Sequence, residues 1–61
     1  MTNLRNSIKD YMAGVADKQI ETGLIVSKIG TKYVTILNVY SGTTEIEKIE
    51  LAYFARKYKI N

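Results

Sequence analysis

The stretch GLIVSKIGTKYVTILNVYSGTTEIEKIEL, residues 23–51, decides the fold. Three runs crowded with Val, Ile, Thr and Tyr, namely Leu24 to Ile29, Lys32 to Tyr40 and Thr44 to Leu51, are separated by Gly30-Thr31 and Gly42-Thr43. β-Branched and aromatic side chains fit a pleated, half-buried surface, and glycine supplies the sharp bends. The runs therefore read as consecutive strands of a three-stranded antiparallel meander.

The first turn suggests a register. With Gly30-Thr31 as the central residues of a type II′ turn, Gly30 takes a positive φ, Ile29 faces Lys32, Ile25 faces Ile36 and Leu24 faces Leu37. At the second turn either Ser41-Gly42 or Gly42-Thr43 is central, which sets Leu37 or Val39 opposite Ile46. One face then collects Ile25, Ile29, Val34, Ile36 and Ile49, and the other Leu24, Val26, Tyr33, Leu37, Val39 and Ile46. Neither face is polar, so both need cover, whereas an antiparallel sheet commonly keeps one wet face. Leu24, Ile36 and Leu37 are expected in the core.

Working outward, Leu4, Ile8, Tyr11 and Val15, with Met12 beside them, recur at helical spacing from residue 2 to about residue 14. Arg5, Asn6, Lys9, Asp10 and Ala13 fall on the opposite side. Thr2 or Asn3 can cap the start, and Gly14 can end the helix in the left-handed conformation. Asp17 to Thr22 is a polar connector, with strand pairing beginning as early as Ile20. Beyond the third strand the period changes to that of a helix. Leu51, Phe54, Ala55 and Tyr58 lie on one face of a segment from about Glu50 to Lys59, with Ala52, Tyr53, Arg56 and Lys57 outside. The expected fold is a single α+β domain over residues 1–61, ordered αβββα. The segment GLIVSKIGTKYVTI, residues 23–36, resembles the first hairpin of small SH3-like barrels. Such a β-barrel with an N-terminal helix is the alternative fold, and it requires an extended carboxy-terminal segment.

A chain of 61 residues buries only about 60% of the surface its unfolded form exposes, which leaves no room for a deep catalytic cleft. It has no Cys, His or Trp, so disulfide staples and the usual zinc and haem ligands are missing. Small secreted domains generally need such staples, so a reducing cytoplasm is the expected location. No apolar run reaches the roughly 18 residues of a membrane span. Heavy use of Ile, Lys, Asn, Thr and Tyr fits an AT-rich coding sequence of the kind phages and low-GC bacteria carry.

Catalytic constellations are weak. Ser7, Ser27 and Ser41 have no histidine to activate them. Glu45, Glu47 and Glu50 form the acidic cluster, which reads more readily as charge that keeps an edge strand soluble than as a metal or acid-base site. The expectation is therefore no enzyme and no cofactor. The net charge of +3 is a mild bias, but Tyr53, Arg56, Lys57 and Lys59 interleave aromatics and bases as nucleic-acid contacts do. Tyr33 and Tyr40, at the ends of the central strand, read first as packing residues. The leading expectation is a non-catalytic binding module that acts on a protein partner and self-associates, with Tyr33, Val39 and Ile46 on the contacting face. The alternative is a nucleic-acid-binding regulator that uses the basic carboxy-terminal helix.

Overall fold

The computed structural model describes residues 3–60. Helix α1 (Leu4–Ala13) and a 3-10 turn (Ala16–Lys18) precede four strands, β1 (Gln19–Glu21), β2 (Leu24–Ile29), β3 (Tyr33–Tyr40) and β4 (Thr43–Glu50), and helix α2 (Leu51–Lys57) follows. The strands form one antiparallel sheet in the order β1-β2-β3-β4. The fold class is α+β, with four strands in place of the expected three. The polar connector supplies the additional strand, because Gly23 takes φ +82° and folds Gln19–Glu21 back onto β2. Residues 51–57 are helical, so the sheet stays open and the SH3-like alternative is not formed.

Both helices lie on one face of the sheet. Ile8 and Met12 of α1, Val26, Val34 and Ile36 of the strands, and Leu51, Phe54 and Ala55 of α2 are buried in one cluster, with Leu24, Ile29 and Ile49 packed against it. Asn3 is the cap that forms, its side chain accepting from the amides of Arg5 (2.8 Å) and Asn6 (3.4 Å), while Thr2 lies outside the described residues. That satisfies donors which the first helical turn otherwise leaves orphaned. Gly14 ends α1 as expected but at φ −89°, outside the left-handed region. The carbonyl of Met12 there accepts instead from the Lys18 ammonium at 3.1 Å and from the Val15 amide at 3.0 Å. Tyr11, expected on the apolar stripe, is 40% exposed, and buried Ser7 takes its place beside Ile8.

At the end of α2, Lys59 sits at φ 55° while the Ile60 amide reaches back to the Ala55 carbonyl (2.8 Å) and the Lys59 amide to that of Arg56 (3.4 Å). This is a Schellman cap with lysine in the position that usually holds glycine.

The register of β2 departs from the expected one, and two local features explain the difference. Gly30 is not at positive φ; its amide donates to the Tyr33 carbonyl at 2.8 Å, so Thr31-Lys32 are the central turn residues and Ile29 faces Val34. That displacement alone moves the register by two and preserves the faces. A β-bulge at Ser27 then takes one residue back, so Val26 faces Ile36, Ile25 faces Leu37 and Leu24 faces Asn38. A one-residue slip exchanges faces. Leu24 and Val26 turn to the helices, and Ile25 joins Leu37, Val39 and Ile46 on the other side. Leu37 keeps its expected side of β3, with Val39 and Ile46, but the helices cover only the opposite face, so it is half-buried and not in the core, and Leu24 is only partly buried. At the second turn Ser41 (φ 48°) and Gly42 (φ 75°) are central, a type I′ pair, and Leu37 faces Ile46.

Candidate functional site

The helices cover one face and leave the other open. On that outer face Ile25, Leu37 and Ile46 lie in one row across β2, β3 and β4, with Val39 beside Thr44 in the row toward the hairpin tip. Ile46 is 69% exposed, Val39 40% and Tyr33 47%. Tyr33, Val39 and Ile46, the residues expected on a contacting surface, are therefore brought onto one solvent-facing side. Leu37 lies between Tyr33 and Val39 on β3, and Ile25 extends the row onto β2.

Beyond the apolar row the same face turns basic. Thr35 stands between Lys28 on β2 and Lys48 on β4 in the register, and Tyr33 lies two residues further along β3. With Lys32 and Thr31 from the turn, these side chains line a shallow concavity of about 260 Å³. Sequence reading missed this group because the three lysines are scattered along the chain, although the expected register already sets Lys28 opposite Tyr33 on this face; the Ser27 bulge and the displaced turn move Lys28 beside Thr35 and place Lys32 in the turn. The available signal was the placement of Lys48 two residues from Ile46 on the third run, which puts it on the same face.

The distal end of the β3–β4 hairpin is uncovered on the helix side as well, and there it is polar. Asn38, Tyr40, Glu45 and Glu47 alternate with the apolar residues of the outer face. The Tyr40 hydroxyl donates to the Glu45 carboxylate, and this bond, with a smaller contribution from desolvation, holds the phenol above its ordinary pKa. Glu45 and Glu47 are exposed on β4, the last strand of the sheet. Ser7 is buried in α1, whereas Ser27 lies at the bulge and Ser41 in the turn. Among the described residues no three His, Cys, Asp or Glu side chains come together as a metal site would require. Among the described residues no helix is long and apolar enough to cross a membrane.

The carboxy-terminal basic group is displayed on the outside of α2, where Tyr53 is 53% exposed and Arg56, Lys57 and Lys59 are all exposed. Its charges are partly engaged with the protein itself. The Lys57 ammonium lies 5.5 Å from the centroid of the Tyr58 ring. Arg5 does not extend this surface, because its Nε donates to the Ile29 carbonyl at 3.1 Å and ties α1 to the end of β2. No protein-family model matches the chain, no curated protein is significantly similar to it, and no solved structure matches its fold significantly.

Proposed function

We propose that this chain is a non-catalytic binding module that works through the outer face of its sheet, and that the occupant of that face is a second copy of the chain. The observation that carries the reading is Ile46, 69% exposed in line with Leu37 and Ile25, while both helices pack on the opposite face. Stacked sheets bury such rows against each other about 10 Å apart.

The free edge of β4 is a poorer place for two copies to meet. A two-fold axis centred on Ile46 sets Glu45 opposite Glu47 at two places, one centred on Glu45 or Glu47 sets a glutamate opposite itself, and one centred on Lys48 does the same to lysine. Like charges directly opposite destabilise a strand pair. Face-to-face packing avoids all of these juxtapositions.

Sedimentation velocity over a concentration series tests the reading. The wild-type chain should associate, and Ile46→Asp or Val39→Asp should leave a folded monomer because each places a charge in the apolar row. Charge reversal at Arg56 and Lys57 should leave association unchanged. A wild-type chain that remains monomeric at high micromolar concentration refutes the choice of occupant.

A further inference from the structure

The basic end of the outer face is distinct from the apolar row and has a chemistry of its own. Lys28 and Lys48 flank Thr35 in the register, Lys32 projects from the adjoining turn, and the three line one concavity with the ring of Tyr33, which is 47% exposed. We infer that this concavity binds a nucleotide unit, its phosphate held by the Lys28, Lys32 and Lys48 ammoniums and its base stacked on Tyr33, presented by single-stranded nucleic acid.

Converging ammoniums select an anion. An exposed aromatic ring lining the same concavity selects one that carries a flat apolar surface, which a nucleobase supplies and an acidic side chain does not. The Thr31 and Thr35 hydroxyls add neutral donors and acceptors for sugar or phosphate oxygens. Glu50 lies directly opposite Tyr33 on β4 and repels phosphate from that side. The phosphate therefore sits toward Lys28 and Lys48, and the base toward the ring.

The dimensions favour a unit within a strand. A volume of about 260 Å³ is below the roughly 300–1,000 Å³ of pockets that engulf a free small molecule. Thr31, Lys32 and Tyr33 also form a wall of a second concavity of about 620 Å³, lined by Arg5 and by Glu50. A strand stacked on Tyr33 therefore keeps its phosphates on the Lys28 and Lys48 side. The inference does not depend on self-association, since its three lysines lie outside the apolar row of Ile25, Leu37 and Ile46 and only Tyr33 is shared with the expected contacting surface.

Fluorescence anisotropy with a labelled oligothymidylate of about twelve nucleotides, within the usual footprint of small single-strand binders, is the test. Thymidine monophosphate, followed through the amide NMR shifts of Lys32 and Tyr33, forms a second arm. With three lysines on phosphate, the log-log salt slope should be about −2 between about 50 and 200 mM. Tyr33→Ala should weaken oligonucleotide binding roughly 5- to 150-fold and Tyr33→Phe should retain it. Lys28→Glu with Lys48→Glu should abolish it, and Lys28→Gln with Lys48→Gln should flatten the slope without reversing local charge. These residues are exposed, so circular dichroism should show an intact fold, and Ile46→Asp should bind as wild type does. Binding of the monophosphate as tight as that of the oligonucleotide would overturn the strand as the source. The inference also fails if folded protein binds neither probe at the lower salt, if the lysine and Tyr33 variants bind normally, or if binding is lost instead on reversing Arg56 and Lys57.

Discussion

The amide of Val39 donates to the Gly23 carbonyl at 2.7 Å, and a Cβ on Gly23 would stand 2.8 Å from the Val39 carbonyl oxygen. The β1–β2 turn is therefore pressed against the backbone of β3. At φ +82° this position disfavours an L side chain on conformational grounds as well. Gly23→Ala should cost about 2 kcal/mol or more, combining the left-handed penalty with displacement of a strand. Gly30→Ala, at ordinary φ but with 3.0 Å to the Tyr33 carbonyl, should cost about 1 kcal/mol or less, within the usual range of point mutations. Urea unfolding of the two variants checks the order. A larger loss at Gly30 would contradict the observed turn.

Two side chains that carry a positive φ offer gains. Lys59 occupies the left-handed position of the Schellman cap at φ 55°, so Lys59→Gly should raise stability by about 1 kcal/mol. Ser41, at φ 48° in the type I′ turn, should accept asparagine with a gain of a few tenths of a kcal/mol, because Asn-Gly is the preferred pair there. Thermal melts of single and double variants should show the two gains adding, since the helix end and the hairpin tip share no partners.

Tyr58 provides the pH dependence. Its ring packs at 4.8 Å on Phe54, and its hydroxyl is buried without a hydrogen-bond partner. Burial, opposed by the nearby Lys57 charge and assisted by that of Glu21, raises the phenol above its usual pKa near 10. The folded state thus holds the proton more tightly than the unfolded chain. This stabilisation is full below pH 10 and is lost as pH rises through the raised folded value. Tyr58→Phe should remove that loss, and by deleting an unpaired hydroxyl should gain up to about 1 kcal/mol at neutral pH. Denaturant midpoints at pH 7 and near pH 10.5 measure both effects.

Much of the fold is legible in local pattern. The spacing of Ile8 and Met12 and that of Leu51, Phe54 and Ala55 places both helices, and the strand runs around Val34 and Ile36 stand where β-branched residues crowd. The β2 register is not legible, because it depends on a bulge at Ser27 that no side-chain preference marks and on a turn that uses Thr31-Lys32 although Gly30 is adjacent. Glycine permits a positive φ without requiring it. That displacement carried Val26 into the core, whereas Leu37 kept its expected side of β3 and missed the core because both helices cover the opposite face. The surface around Tyr33, Val39 and Ile46 could be anticipated because all three lie on β3 and β4, whose pairing the Ser41-Gly42 turn fixes. The lysine group was legible in part, because the expected register already sets Lys28 opposite Tyr33 on the face of Lys48; only the place of Lys28 beside Thr35 and that of Lys32 in the turn needed the observed β2 register.

The core should respond unequally to truncation. Phe54 and Ile36 are essentially fully buried, so Phe54→Ala should cost about 3–5 kcal/mol and Ile36→Ala about 2–5 kcal/mol. Against a total of about 5–15 kcal/mol, near the lower end for so small a domain, Phe54→Ala should leave the chain largely unfolded at 37 °C. Leu37→Ala, on the half-buried outer face, should cost less than Ile36→Ala under dilute conditions in which the chain is monomeric. Circular-dichroism melts at low micromolar concentration decide, and a reversed order would place Leu37 in the core after all.

Glu45 and Glu47 face the helix side of β4, where both are exposed and neither belongs to the buried core cluster. Their effect is on the free edge of an eight-residue strand whose outward partners are missing. Every two-fold register centred between Glu45 and Lys48 brings like charges together, and inward-pointing charge of this kind blocks edge-to-edge pairing. Glu45→Thr with Glu47→Val removes the repulsion and raises β propensity in the same step. The variant should keep its melting temperature within a few degrees but form concentration-dependent species larger than the wild-type assembly, visible in light scattering and slowed by restoring either glutamate. Ile46→Asp, which interrupts the opposite face, should not suppress those larger species, because strand pairing along β4 proceeds through the backbone. If Ile46→Asp does suppress them, the outer face and not the edge is where the extra chains attach.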